Sequence, residues 1–94
     1  MYIIIKSKKL HKKYDVINTL GKVISFGDNR YSDFTKHKNE ERKMNYIKRH
    51  QNEDWTDLNK SSTWSRYILW NKPTMKESIN DMKKLFNIKI IFLN

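Results

Sequence analysis

Residues 73–87 read PTMKESINDMKKLFN, and this segment predicts the longest helix of the chain. Thr74 and Glu77 form a capping box, in which the threonine oxygen accepts the Glu77 amide and the glutamate reaches back. Four apolar residues then recur at helical spacing and provide a core-facing stripe: Met75, Ile79, Met82 and Phe86. Asn87 is a typical residue for ending a helix. The apolar run from Ile88 to Leu93 follows directly and predicts a final strand.

Three strands are predicted before this helix. Tyr2 to Lys6 is a compact β-branched run typical of a buried strand, and Tyr14 to Ile17 resumes the same chemistry after a charged break. Gly21 can take the positive φ that a tight turn requires. Lys22 to Phe26 then alternates like the returning strand of a hairpin.

Two further helices are predicted in the middle of the chain. Residues 39–50 place acids first and bases last, which complements a helix dipole. The apolar stripe of this helix is narrow: Met44, Tyr46 and Ile47. A shorter helix is predicted within residues 63–70, where three residues share one face: Trp64, Tyr67 and Ile68. The order β-β-β-α-α-α-β implies an α+β fold, a small antiparallel or mixed sheet with about three short helices packed on one face.

Length and charge limit the function. Ninety-four residues correspond to a single small basic domain, 1–94, and the formal net charge is +10. Residues 1–51 hold 13 Lys and Arg against 5 Asp and Glu, a net of +8, whereas residues 52–94 hold 7 against 5, a net of +2. This asymmetry favours one face that meets a polyanion. The alternative is a general solubility surface on a protein from a Lys- and Asn-rich, AT-biased genome.

Cysteine and hydrophobic runs exclude several classes. The chain contains no cysteine, so it has no disulfide, no thiolate metal site and no cysteine nucleophile. The apolar run from Tyr2 to Ile5 is far shorter than a signal-peptide core or a membrane span, and no later run is longer. We therefore expect a soluble chain without a membrane partner.

Two segments interleave aromatic, basic and hydroxyl residues densely: YSDFTKHK at 31–38 and WSRYILWNKPT at 64–74. Clustered cationic donors of this kind suit phosphate oxygens, and arginine adds bidentate geometry. We predict that seven cations contact nucleic acid: Lys36, Lys38, Arg42, Lys43, Arg49, Arg66 and Lys72. Two rings are predicted to stack on bases, Tyr31 and Tyr67. A purely structural interpretation of the first segment is that Ser32 or Asp33 caps a helical turn.

Other chemistry has weaker support. The three histidines (His11, His37 and His50) stand apart among basic neighbours, so neither a metal nor another cofactor is predicted. Asp33 and His37 are four residues apart and could exchange a proton, which keeps a small nuclease as an alternative. No nucleophile or phosphate-cradling loop accompanies them, so a non-enzymatic protein is favoured. The three tryptophans are predicted to be core residues: Trp55, Trp64 and Trp70.

The chain also resembles an uncharacterised family of short basic proteins encoded by large nucleocytoplasmic DNA viruses of eukaryotes. The resemblance covers about two-thirds of the sequence, and its most distinctive part is Trp70-Asn71-Lys72-Pro73. The shared features are Ser25-Phe26-Gly27, Tyr31-Ser32-Asp33-Phe34-Thr35, His37-Lys38, Arg42-Lys43, Tyr46-Ile47, Arg49-His50, Trp55-Thr56, Trp64-Ser65-Arg66, Leu69-Trp70-Asn71-Lys72-Pro73-Thr74 and Glu77-Ser78-Ile79.

This resemblance implies a setting more than a mechanism. It implies a viral protein located in the virion, and in the host cytoplasm or viral factory during infection. There the basic face would bind nucleic acid, with DNA favoured, largely without sequence preference. The alternative is a minor capsid or scaffold protein whose basic face contacts acidic surfaces of other capsid proteins. An exposed edge strand at Ile88 to Leu93 would favour that alternative, because edges recruit partner strands.

Overall fold

A computed structural model describes residues 1–93, in which four strands form one mixed sheet. The strands are β1 (Tyr2–Lys6), β2 (Lys12–Ile17), β3 (Val23–Asp28) and β4 (Ile90–Leu93), and their order in the sheet is β3-β2-β1-β4. The first three strands pair antiparallel, whereas β4 runs parallel to β1 with Tyr2 opposite Ile90. The predicted α+β class is confirmed. The final strand begins at Ile90, because Asn87 reverses the chain at φ 52° and the next residues lead to the sheet.

The helical half contains one more element than the sequence predicted. Its helices are α1 (Phe34–His37), α2 (Glu40–Arg49), α3 (Ser61–Trp64), which continues as a π turn (Ser65–Leu69), and α4 (Met75–Phe86). The extra element is α1, and Asp33 caps it by accepting the Thr35 amide at 2.9 Å. The structural interpretation of residues 31–38 is therefore confirmed. No helix within residues 1–93 is both long and apolar enough to cross a lipid bilayer.

The helix predicted at 63–70 is corrected by this π turn. It begins earlier, at Ser61, and the Trp70 amide donates to the Ser65 carbonyl at 3.1 Å, a five-residue step. In an α-helix, residues five apart lie about 140° apart around the axis. The wider turn instead lets Trp64, Ile68 and Leu69 all reach the core, where each is at most 2% exposed.

The core lies between one face of the sheet and the helices. Its buried residues come from β1, β2, β3, the α3–π segment, α4 and β4: Ile4, Val16, Phe26, Trp64, Ile68, Leu69, Ile79, Met82 and Ile90. Trp64 is the central ring, and its indole N–H donates to the Leu58 carbonyl at 2.9 Å. The prediction of three core tryptophans is only partly right. Trp70 packs half-buried at the margin of the core, and Trp55 lies outside the core cluster.

The opposite face of the sheet is not part of this core. Its alternate residues form an apolar row across the four paired strands: Ile91, Ile3, Ile17 and Val23. Ile91 is 41% exposed, and Leu93 on the same face is 51% exposed. The sheet therefore presents an apolar surface along the edge strand β4.

Helix α2 is anchored through a narrower contact than predicted. Tyr46 is its one buried residue, whereas Met44 is half exposed. The reason is that α2 packs against α1 and Trp70 rather than across the sheet, so fewer side chains can be covered. By contrast, α4 begins as predicted, with the Glu77 amide donating to Thr74 Oγ1 at 3.2 Å. The Glu77 carboxylate accepts the Thr74 hydroxyl at 2.9 Å.

The two glycines give a matched stability test. Gly21 and Gly27 both have positive φ, 82° and 77°, so alanine at either site should lose about 1–2 kcal/mol through left-handed strain. A Cβ at Gly21 meets nothing within 4 Å, but at Gly27 it would lie 2.7 Å from Leu69 Cδ1. Gly27→Ala should therefore cost about 1–3 kcal/mol more than Gly21→Ala, measured by denaturant unfolding. Equal losses would show that Leu69 yields freely.

Candidate nucleic-acid interface

A groove brings together residues from three parts of the chain. It has a volume of about 360 Å³ and is lined by Tyr31, Ser32, Arg42, Asn45, Arg49 and Trp70. The Asn39 side chain starts α2 by accepting the Arg42 amide at 3.1 Å. The residues at i, i+3 and i+7 from Arg42 then share one helical face, which supplies one wall of the groove. The loop after β3 and the end of the π turn supply the rest.

Stacked aromatic rings hold this wall in place. Tyr46 and Trp70 lie parallel, with centroids 4.4 Å apart and an interplanar angle of 2°. His50 packs on Tyr46 at 4.4 Å, and His37 lies 5.4 Å from Trp70. Burial raises the pKa of Tyr46 to about 12, so its hydroxyl stays neutral. One face of Trp70 is thus occupied by Tyr46, and α2 is fixed against the end of the π turn.

The two predicted stacking rings have different surroundings. Tyr31 is 69% exposed, and its nearest cation is the Arg30 guanidinium, 6.0 Å from the ring centroid. Tyr67 is half-buried and meets Phe86 edge-on at 5.2 Å. Tyr31 is therefore placed in the groove with an open ring face, whereas Tyr67 packs against α4.

The seven predicted cations do not form one surface. Arg42 and Arg49 are exposed on the groove wall. Lys38 lies at the end of α1 with φ 55°, and its ammonium donates to the Thr35 carbonyl at 3.2 Å, so it does not extend the Arg42–Arg49 row along α2. Lys36 and Lys72 are exposed but do not line the groove.

The remaining two cations are used inside the protein. Lys43 donates to the Asn71 carbonyl at 2.6 Å and lies 4.9 Å from the Phe34 ring centroid, and burial lowers the pKa of this lysine. Arg66 donates to the Trp70 carbonyl at 2.8 Å and lies within 5.4 Å of the Trp55 and Tyr67 ring centroids. Both side chains support the segment around Trp70, and neither presents its charge freely at the surface.

The groove continues along the molecule. A second cavity, of about 470 Å³, shares Tyr31, Ser32 and Trp70 with it and extends along the end of β3 to His50 and the start of the α3–π segment. Three serines line this extension: Ser61, Ser62 and Ser65. Sequence reasoning missed Ser32, Asn45 and Trp70 as lining residues. Asn45 could have been found from its spacing, because it lies three residues after Arg42 on the same helix face.

The residues of the nuclease hypothesis are engaged in local structure. The Asp33 carboxylate is buried and accepts from the Thr35 amide, the Thr35 hydroxyl and the Lys13 ammonium. His37 Nδ1 accepts the Asn39 amide at 3.0 Å, and His50 Nδ1 lies 3.0 Å from Glu53 Oε1. Within residues 1–93, no group of three or more His, Cys, Asp or Glu side chains is placed to hold a metal ion.

Fold and groove together define a small α+β protein with a basic, aromatic-lined groove beside a mixed sheet. The chain belongs to the protein family described as a family of unknown function (DUF5754), whose sequence pattern matches residues 2–50. That match spans β1 to the end of α2 and includes the groove residues other than Trp70. No curated protein and no solved structure matches the chain.

His37 makes stability sensitive to mild acid. Burial and the positive charge of Arg42 lower the pKa of His37 below its ordinary value of 6.5, and its Nε2 is buried without a partner among residues 1–93. Since the unfolded chain takes up this proton first, the free energy of unfolding should fall as the pH drops below about 6.5. Thermal melts of His37→Asn between pH 7.5 and 5 should show a shallower fall than the wild type. His11→Asn, at an exposed loop position, is the control, and an identical pH dependence in all three proteins would contradict the assignment.

Proposed function

We propose that this protein is a non-enzymatic, virion-associated protein of a large DNA virus that binds nucleic acid without sequence preference through the groove. One observation carries the proposal: two exposed arginines share a groove wall with the open ring of Tyr31. The viral setting comes from the sequence resemblance. The net charge of +10 adds a long-range attraction for any polyanion.

The spacing of the groove residues suits phosphate and base contacts together. Arg42 and Arg49 are separated by about 10.5 Å along the helix axis, so they can meet two different phosphates of one nucleic acid. The Tyr31 ring can stack on an unpaired base, and such stacking tolerates every base. Phosphate contacts fix position but carry no sequence information, which is why we propose non-specific binding.

Charge reversal on the groove wall tests this proposal. Arg42→Glu with Arg49→Glu should weaken binding to mixed-sequence DNA and reduce the slope of log affinity against log salt by about 1.8, since each lost phosphate contact contributes about 0.9. The matched control is Lys76→Glu with Lys84→Glu, two exposed lysines of α4, which changes the net charge equally. The control should retain most of the affinity. Equal weakening of both correctly folded variants would mean that net charge, not the groove, determines binding.

The edge strand β4 favours a second candidate, a minor capsid or scaffold protein. β4 is an outer strand of the sheet and borders the exposed apolar row that contains Ile91. The partner we propose is an acidic surface of a capsid protein, because a second copy of a chain with net charge +10 would repel the first. Such a partner could pair with the β4 backbone while covering the apolar row.

Fractionated virus particles distinguish the two candidates. Purified particles are opened, their DNA is digested, and shells are separated from released material. A nucleic-acid-binding protein leaves with the genome, whereas a capsid component stays with the shells. In the capsid case Ile91→Lys should release the protein, and Leu85→Lys, on exposed α4, should not. Retention of the Ile91→Lys variant on shells would exclude the sheet face as the contact.

A further inference from the structure

A separate cavity is lined by four lysines that come from distant parts of the chain. It has a volume of about 280 Å³ and lies where the end of β1, the start of β2, the loop after β3 and α1 meet. The lysines are Lys6, Lys12, Lys13 and Lys36, and Tyr14 and Asn29 are among the other lining residues. Sheet pairing brings the first three together, since Lys6 lies opposite Tyr14 in the β1–β2 register.

One of the four charges is neutralised within the protein. The Lys13 ammonium forms a buried ion pair with Asp33, and the two side chains are 7% and 2% exposed. The ammonium groups of Lys6, Lys12 and Lys36 make no hydrogen bond or ion pair within the part of the chain that the structure describes. Three like charges around one cavity repel each other unless an anion lies between them.

The nearest carboxylate is not free to serve as that anion. Asp28 lies opposite Lys12 in the sheet, but both of its oxygens accept from the Arg30 side chain, at 3.0 and 2.7 Å. These bonds hold the pKa of Asp28 well below its ordinary value, as expected for a carboxylate committed to a guanidinium. Asp33, the other acid near the cavity, is committed to Lys13 and to the cap of α1.

We propose that this lysine pocket binds a phosphate group carrying at least two negative charges, either the terminal phosphate of a nucleic-acid strand or a free oligophosphate. Ammonium groups on flexible stems surround a phosphate as point charges and need no planar match. Burial and the charge of Asp33 raise the pKa of Tyr14, so its hydroxyl keeps its proton and is available to donate. The volume lies near the lower end for small-molecule sites, about 300–1,000 Å³, which suits one or a few phosphates.

The pocket is distinct from the groove but adjoins its extension. Lys12 lines the pocket and also the cavity that contains Tyr31 and Trp70. A strand lying in the groove can therefore bring its end to the lysines. The pocket does not depend on the groove, because none of its lining residues lies in α2 or the π turn.

Binding of sodium pyrophosphate, measured by calorimetry at constant ionic strength, tests the pocket. We expect the wild type to bind and Lys12→Gln with Lys36→Gln to bind at least tenfold more weakly. Lys76→Gln with Lys84→Gln, which removes the same charge from α4, should stay within twofold of the wild type, and so should the Arg42→Glu, Arg49→Glu groove variant. No binding, or equal loss in the pocket and α4 variants, would overturn the proposal whatever the groove does with DNA.

Oligonucleotides of one sequence, with and without a 5′-phosphate, then identify the source of the phosphate. If the strand end is the ligand, the 5′-phosphate should strengthen binding to the wild type and not to the Lys12→Gln, Lys36→Gln variant. If pyrophosphate binds but the 5′-phosphate has no effect, the ligand is a free oligophosphate. Thermal melts of all variants confirm that each is folded.

Discussion

A single buried carboxylate, that of Asp33, connects the sheet to the helices. It pairs with Lys13 of β2 and at the same time starts α1, from which the chain proceeds to α2. Removing one charge from such a buried pair typically costs about 3–5 kcal/mol, because the other charge is left without compensation. The loop that carries Tyr31 and Ser32 directly precedes Asp33, so the position of the groove depends on the same contact.

Several basic residues have structural roles that limit the surface available to a polyanion. Lys43 and Arg66 bind main-chain carbonyls around Trp70 and Asn71, and their charges support the stack of Tyr46 on Trp70. The exposed cations are left in two places, the arginine wall of α2 and the lysine pocket. The high net charge therefore does not correspond to an evenly basic face.

Local sequence patterns predicted the elements that depend on neighbouring residues. The strands β1 to β3, the helix dipole of α2 and the Thr74 cap of α4 all follow from spacings of a few residues. The π turn did not, because the widening is set by how Leu69 packs over Gly27 in the folded core. The role of Lys43 was missed for a similar reason: its carbonyl partner, Asn71, lies 28 residues away in sequence.

The candidate sites show the same division. Arg42 and Arg49 were predicted from their spacing on one helix, and the structure places both in the groove. Lys6 and Lys12 were not predicted, because only the pairing of β1 with β2 brings them near Lys36. Trp70 was assigned to the core, since a tryptophan at the margin of a core has the same sequence pattern as one at its centre.

The parallel pairing of β1 with β4 has a consequence for how the chain folds. The β1–β2 and β2–β3 hairpins close short loops, whereas the β1–β4 pair closes a loop over nearly all of residues 1–93. Contacts so distant in sequence form slowly, because the entropy of closing the loop is lost before they form. A three-stranded intermediate would then persist with the β1 backbone unpaired. At high concentration in a crowded cell, β4 of a neighbouring molecule can fill that position, so domain-swapped dimers are the characteristic misfolded product of this topology.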